Sequence, residues 1–251
     1  MTHDFEIVDE ITLAATPEEV WQAIATGPGV DSWFMGRAEI EAGVGGAHRI
    51  DLTAAMGVEL QSTITSWQPG RRLAFREDSA DGTFSATEYL LAGRDGGSTT
   101  LRFAHNGILN GDDWEDQYEG MRAGDRMFLE QLAVYLRYFP GREATRNLFL
   151  FGPTVTDTAR VWSRFADALS LTGPTVVGAP TRLDVRGLPT IDGEVAFVDE
   201  PHFLGVRTLN GIHLFVQGYR DILVVGYHGF SDNENVDQLE AAWRSWLAEA
   251  A

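Results

Sequence analysis

Apolar and polar positions alternate from the start of the chain. Phe5, Ile7, Asp9 and Ile11 interleave with Glu6, Val8, Glu10 and Thr12, and Leu13 follows, so the spacing predicts a β-strand over 5–13. Thr16-Pro17-Glu18-Glu19 then has the grammar of a helix start: a capping hydroxyl, proline at the first helical position, and a carboxylate three residues after the cap. Val20, Trp21 and Ile24 put an apolar stripe on that helix, and Gly27-Pro28-Gly29 breaks it. Residues 30–34 can add one short helical turn ending in Trp33-Phe34.

From 36 to 108 the period shifts to two. Strands are predicted at 37–41, 47–53, 58–67, 72–77, 83–92 and 98–105. Gly43-Val44-Gly45-Gly46, Pro69-Gly70, Asp81-Gly82 and Asp95-Gly96-Gly97 separate them as turns. Val58, Leu60, Ser62 and Ile64 alternate with Glu59, Gln61, Thr63 and Thr65, giving one wet and one apolar face, as in an antiparallel sheet covered on one side. A long helix follows over 112–139, with Met121, Phe128, Leu132, Tyr135, Leu136 and Phe139 as its stripe and Pro140-Gly141 as its stop. A curved meander with one long helix to cover its concave face predicts an α+β helix-grip: a sheet wrapped round a C-terminal helix, with room between them.

After a short polar linker at 141–147 the same order returns in shorter form. A strand at 148–151 precedes a helix capped by Asp157, with Val161, Trp162, Phe165, Ala166 and Leu169 inward and Gly173-Pro174 at its end. Strands are predicted at 175–178, 181–186, 193–199, 203–208, 211–217 and 222–228. A final helix over 233–250, capped from within 231–235, aligns Val236, Leu239, Trp243, Trp246, Leu247 and Ala250. Thr16-x-x-x-Val20-Trp21 is echoed by Asp157-x-x-x-Val161-Trp162, and Gly27-Pro28 by Gly173-Pro174. Element order and echoes together predict a tandem repeat, with one domain over 1–141 and a shorter one over 147–251.

Composition narrows the chemistry. The 251 residues carry 19 basic side chains, all Arg, against 37 acids, for a formal charge of -18, and there is no Cys. Without Lys or Cys there is no Schiff base, P-loop, thiol nucleophile, thiolate metal site or disulfide. Arg is nowhere clustered, so nucleic acid is not an expected partner, nor is an anionic membrane. No apolar run reaches the ~20 residues of a membrane span. The N-terminus has neither a basic nor an apolar leader region, which points to the cytoplasm. The sequence does not fix the oligomeric state.

Pro17-Glu18-Glu19-Val20-Trp21-Gln22-Ala23-Ile24 with Trp33-Phe34, Trp67-Gln68-Pro69-Gly70-Arg71-Arg72-Leu73, and 99–107 (Thr-Thr-Leu-Arg-Phe-Ala-His-Asn-Gly) stand in the order seen in the SRPBCC superfamily. Residues 5–140 resemble its bacterial branch related to the activator of heat-shock protein 90 ATPase. Residues 147–251 resemble the superfamily through topology alone. The resemblance implies a START-like helix-grip with a hydrophobic cavity, in a superfamily of lipid carriers, hormone receptors, polyketide cyclases and self-sacrifice resistance proteins. The chaperone-activating members carry an extra N-terminal domain without a counterpart here, so chaperone activation is not expected.

Candidate ligand-binding residues are Trp33, Phe34, Phe75, Phe84, Tyr89, Phe103, Trp114, Tyr118, Met121 and Phe128, although the same aromatics also suit a plain core. His105 alternates with Phe103 and so faces the predicted cavity, where it could orient a ligand or act as an acid/base, with Glu59 or Glu88 as carboxylate partner. It could equally be a structural histidine, and His48 and His228 are weaker candidates. Asp112, Asp113, Glu115 and Asp116 read as first-turn acids opposing a helix dipole rather than a calcium loop. No metal and no cofactor are expected. The leading expectation is binding of an apolar lipid, polyketide or aromatic. A cyclase- or hydrolase-type enzyme using His105, and a chaperone-accessory module, are the alternatives.

Overall fold

The computed structural model describes residues 2–232 and 235–249 and divides into two compact units, Met1–Glu143 and Ala144–Ala251. Unit 1 runs β1 (Thr2–Leu13), α1 (Pro17–Ala25), α2 (Gly27–Asp31), β2 (Arg37–Ile40), β3 (Ala47–Leu52), α3 (Thr53–Met56), β4 (Val58–Gln68), β5 (Arg72–Asp78), β6 (Phe84–Arg94), β7 (Ser98–Asn110) and α4 (Trp114–Tyr138). Its seven strands form one antiparallel sheet in the order β1-β7-β6-β5-β4-β3-β2. The first strand closes on the last, so β1 pairs with β7 from Thr2 opposite Asn110 to Leu13 opposite Thr99. The 25-residue α4 packs against β1, β7 and α1. This is the α+β helix-grip expected from the sequence.

Local chemistry explains the boundaries. The Glu19 backbone N–H donates to Thr16 Oγ1 at 3.3 Å and the Thr16 N–H donates to Glu19 Oε2 at 2.7 Å, a complete capping box at the start of α1. In β1, Phe5, Ile7 and Leu13 are buried while Glu6, Val8, Glu10 and Thr12 face water, as the alternation requires. On α4 the buried residues concentrate from Met127 to Leu136, so the C-terminal half of the helix carries the core contacts. The sequence reading missed the one-turn α3, which closes through Gly57 in the left-handed region (φ 73°), and set at 30–34 the short turn that α2 forms over Gly27–Asp31.

Unit 2 runs β8 (Arg146–Thr154), α5 (Thr158–Ala168), β9 (Pro180–Leu183), β10 (Ile191–Asp199), β11 (Phe203–Thr208), β12 (Gly211–Gln217), β13 (Ile222–Gly229) and α6 (Val236–Ala248). Its sheet order, β8-β13-β12-β11-β10-β9, follows the rule of unit 1: first strand beside last, meander between. The chain is a tandem repeat of one topology. Asp157 caps α5 by accepting from the Arg160 N–H at 3.0 Å, and Asn235 caps α6 by accepting from the Gln238 N–H at 3.2 Å. Asn233, Glu234, Ala250 and the side chain of Val236, part of the predicted final helix, lie outside the described residues.

One predicted strand is absent. Residues 175–178 form a turn, with the Ala179 N–H donating to the Val176 carbonyl at 3.0 Å and Gly178 at φ 85°. Val176 and Val177 are exposed, 54% and 65%. Thr175, Val176 and Val177 supply strand propensity but no alternation, and the turn through Gly178 decides the conformation. Among the described residues no helix is long and apolar enough to cross a membrane.

Candidate functional site

Between the sheet of unit 1 and α4 lies a cavity of about 190 Å³. Strand periodicity builds one wall. His48 and Ile50 on β3, Leu60 and Ser62 on β4, Phe75 and Glu77 on β5, Ser85, Thr87 and Tyr89 on β6, and Phe103 and His105 on β7 are same-face pairs and triplets two residues apart. Ile24 on α1, Val30 on α2, Trp33 and Phe34 in the turn after α2, and Asp125, Phe128 and Leu129 on α4 complete the lining. The Trp33 indole N–H donates to the Ala23 carbonyl at 2.9 Å, which fixes that ring in the wall. Phe34 packs on Phe128 with ring centroids 4.3 Å apart.

The polar end of the cavity is a connected chain. His105 Nδ1 lies 2.8 Å from Asp125 Oδ2, and Ser85 Oγ lies 2.9 Å from His105 Nε2. When Asp125 is ionised it accepts from Nδ1–H, which leaves Nε2 to accept the Ser85 hydroxyl proton. One side chain from the helix thus holds a sheet histidine, and the histidine holds a serine on the neighbouring strand. The edges of Phe5 (5.0 Å) and Phe103 (6.4 Å) against the imidazole fix its plane. Burial raises the Asp125 carboxyl above its usual range, opposed by the His105 hydrogen bond. Burial also raises the Tyr89 hydroxyl, so Tyr89 stays neutral. His48 lies flat on Phe75, centroids 4.1 Å apart and planes 9° from parallel, and burial pushes its imidazole down to about 4. At neutral pH it presents an uncharged ring to the cavity. The site therefore offers an aromatic slot with neutral His48 and Tyr89, and one hydrogen-bonded acid–base pair at one end.

Residues 14–137 match the family model described as activator of Hsp90 ATPase homolog 1-like protein, AHSA1. Unit 1 is AHSA1-like over these residues. Similar solved structures include protein MLL2253 from Mesorhizobium loti (23% identity, 54% of this chain and 98% of that one, TM-score 0.47). CalU16 from Micromonospora echinospora is similar at 22% identity over 54% of this chain and 76% of its own, with TM-score 0.43. The Aha1 dimer from Colwellia psychrerythraea is similar at 21% identity over 53% and 96%, with TM-score 0.42. Among curated proteins none matches the chain.

Within the AHSA1-like unit, Trp33, Phe34, Phe75, Tyr89, Phe103, His105 and Phe128 line the cavity. Phe84, Trp114, Tyr118 and Met121 are not among the described residues that line it. Phe84 falls on the other parity of β6 from Ser85, Thr87 and Tyr89, and the Arg76 guanidinium sits 3.7 Å over its ring. Trp114 stacks on His3 of β1, centroids 4.4 Å apart. Tyr118 and Met121, like Trp114, belong to the half of α4 that precedes its buried segment.

The suggested carboxylate partners of His105 are also corrected. Glu88 forms an ion pair with Arg72, its cross-strand diagonal neighbour, and Glu59 is exposed. The partner is Asp125, whose signal was present: it falls four residues after Met121 and three before Phe128, a lone acid in an apolar stripe. His48 was likewise legible from its alternation with Ile50 and Leu52, all three buried.

Proposed function

We propose that the AHSA1-like unit binds a small, uncharged, mainly apolar molecule in the cavity between its sheet and α4. The carrying observation is the cavity itself, walled by aromatics and ending in the Ser85–His105–Asp125 chain. Its volume sets the scale: a 150 Å³ apolar cavity accepts benzene, so about 190 Å³ suits a substituted single ring or a short aliphatic chain. Burying ~200 Å² of apolar ligand surface contributes about 5 kcal/mol before association costs. The affinity then depends on the hydrogen bonds offered at the polar end. We place this binding in the cytoplasm, the setting the sequence suggests.

Native mass spectrometry and thermal denaturation against panels of monocyclic aromatics, short lipids and polyketide-like ketones test the reading. A true ligand leaves a mass adduct and stabilises the fold by about 2.7 kcal/mol at a hundred times its Kd. If no panel member does either, the binding reading fails.

The Ser85–His105–Asp125 geometry favours a second reading, an acid/base enzyme of the cyclase or hydrolase kind centred on His105. A carboxylate on one ring nitrogen and a hydroxyl on the other is the arrangement that poises an imidazole to take and return a proton. Any turnover found with bound ligands must then fall by at least 100-fold in His105→Ala. Turnover that survives this substitution removes the second reading and leaves the first intact.

A further inference from the structure

Unit 2 holds a second cavity, of about 280 Å³, independent of the site described above. Its walls are Leu183, Val185, Leu188, Ile191 and Leu239. Among these apolar side chains stands His213, in the middle of β12 and 1% exposed. Neither of its ring nitrogens has a hydrogen-bond partner among the described residues. The strand offers an apolar alternative at every neighbouring position: Ile212, Leu214 and Phe215 are all fully buried. A histidine here is therefore costly to the fold, because a buried polar atom left unpaired forfeits its hydration without return. The ring is held from one side by Tyr227, centroids 4.5 Å apart. The polar groups at the rim are already engaged: Asn235 caps α6, and the Gln238 amide donates to the Gly187 carbonyl at 2.7 Å.

The cavity's chemistry restricts what could satisfy His213. No Asp, Glu or Arg lines it among the described residues, so a charged ligand finds no counter-charge. Burial drives the imidazole strongly toward its neutral form, which has one donor and one acceptor nitrogen. The other polar side chains that line the cavity are Tyr227, Asn235 and Gln238, and none of them is a hydrogen-bond partner of His213 among the described residues. The volume is close to twice that of the 150 Å³ cavity that accepts benzene, enough for a bicyclic molecule. We propose that the cavity of unit 2 is a binding site for a small neutral apolar molecule bearing a single hydroxyl group, which hydrogen-bonds to His213. This site does not rest on the reading of unit 1, and each can fail alone.

The test uses the full chain labelled with ¹⁵N-histidine, with 2-naphthol and naphthalene as probes that differ only by the hydroxyl. His213→Phe identifies the His213 ring signals by their loss. The His213 signals stay in the neutral form as the pH falls to 5, as do those of His48, and His48→Phe tells the two apart. We expect 2-naphthol to shift both His213 ring nitrogens and to bind at least ten-fold tighter at this site than naphthalene. Leu188→Trp, which fills the cavity from its half-buried rim without touching the histidine's strand, should abolish the shift. Ring signals unmoved by saturating 2-naphthol, or equal affinity for the two probes at this site, would overturn the proposal. Binding in unit 1 does not confound the result, since the His213 signals report on their own cavity.

Discussion

His48 makes acid stability a direct test of the cavity's electrostatics. The side chain sits on β3, 7% exposed, flat against Phe75, and burial lowers its pKa from 6.5 to about 4. In the unfolded chain the imidazole takes a proton as the pH falls below 6.5, whereas in the folded chain it resists until about 4. Between these values the unfolded state binds more protons, so stability rises with pH across the window and is lost as the pH falls. At 1.36 kcal/mol per unit, acidification to pH 5 costs about 2 kcal/mol through this residue, and the full gap corresponds to about 3 kcal/mol. The assay is urea unfolding at pH 7 and pH 5, for the unsubstituted chain and for His48→Phe, which keeps a flat ring against Phe75 but cannot titrate. Asp125 contributes with the opposite sign, since its carboxyl is raised. It is present in both proteins and cancels in the difference, as does His213. The unsubstituted chain should lose about 2 kcal/mol more than His48→Phe between the two pH values. Equal losses, within about 0.5 kcal/mol, would refute the claim that His48 stands uncharged in a dry slot.

Three further outcomes follow from single contacts. Leu132, fully buried on α4, should cost 2–5 kcal/mol when changed to Ala, read as a lowered urea midpoint with unchanged slope. Asp125→Asn should release the His105 tautomer, so that ¹⁵N spectra show a mixture at the ring nitrogens in place of one dominant form. Gly205→Ala should strongly destabilise unit 2, because a Cβ there would lie 2.2 Å from the buried Phe197 ring. Adding Phe197→Leu should recover part of that loss, with a coupling energy above about 0.5 kcal/mol in a double-mutant cycle.

The elements that sequence periodicity revealed are those in which one face is buried along the whole length. β1 shows this: Phe5, Ile7 and Leu13 mark the inner face and the capping box at Thr16 marks where the next element begins. The cavity was only partly legible, and the reason is parity. Phe84 and Tyr89 sit on opposite faces of one strand, so a single wall cannot hold both, and the structure places Tyr89 inside. Aromatic content alone ignores this rule, whereas strict period-two counting selects Ser85, Thr87 and Tyr89. On α4 the stripe was correct, but a 25-residue helix outruns a cavity of about 190 Å³, and no local signal says where along it the empty space ends. Asp125 shows a different limit. Its position on the stripe could be read, but its pairing with His105, twenty residues away, is a property of the assembled grip.

The two units show how one topology can give opposite answers to a buried histidine. In unit 1 the cavity-facing His105 is bonded at both nitrogens, to Asp125 and Ser85, so the protein satisfies it without a ligand. An incoming molecule must then compete for Nε2 with the Ser85 hydroxyl, and it gains only the difference between two hydrogen bonds. In unit 2 His213 has no such competitor among the described residues, so the hydroxyl of the proposed ligand would gain the whole bond. Polar selectivity should therefore be sharper in unit 2. Unit 1, with more aromatic wall and a satisfied polar end, should discriminate by shape. If both cavities bind as proposed, the same helix-grip order supports two selection rules, decided by whether the helix contributes a carboxylate to the sheet's histidine.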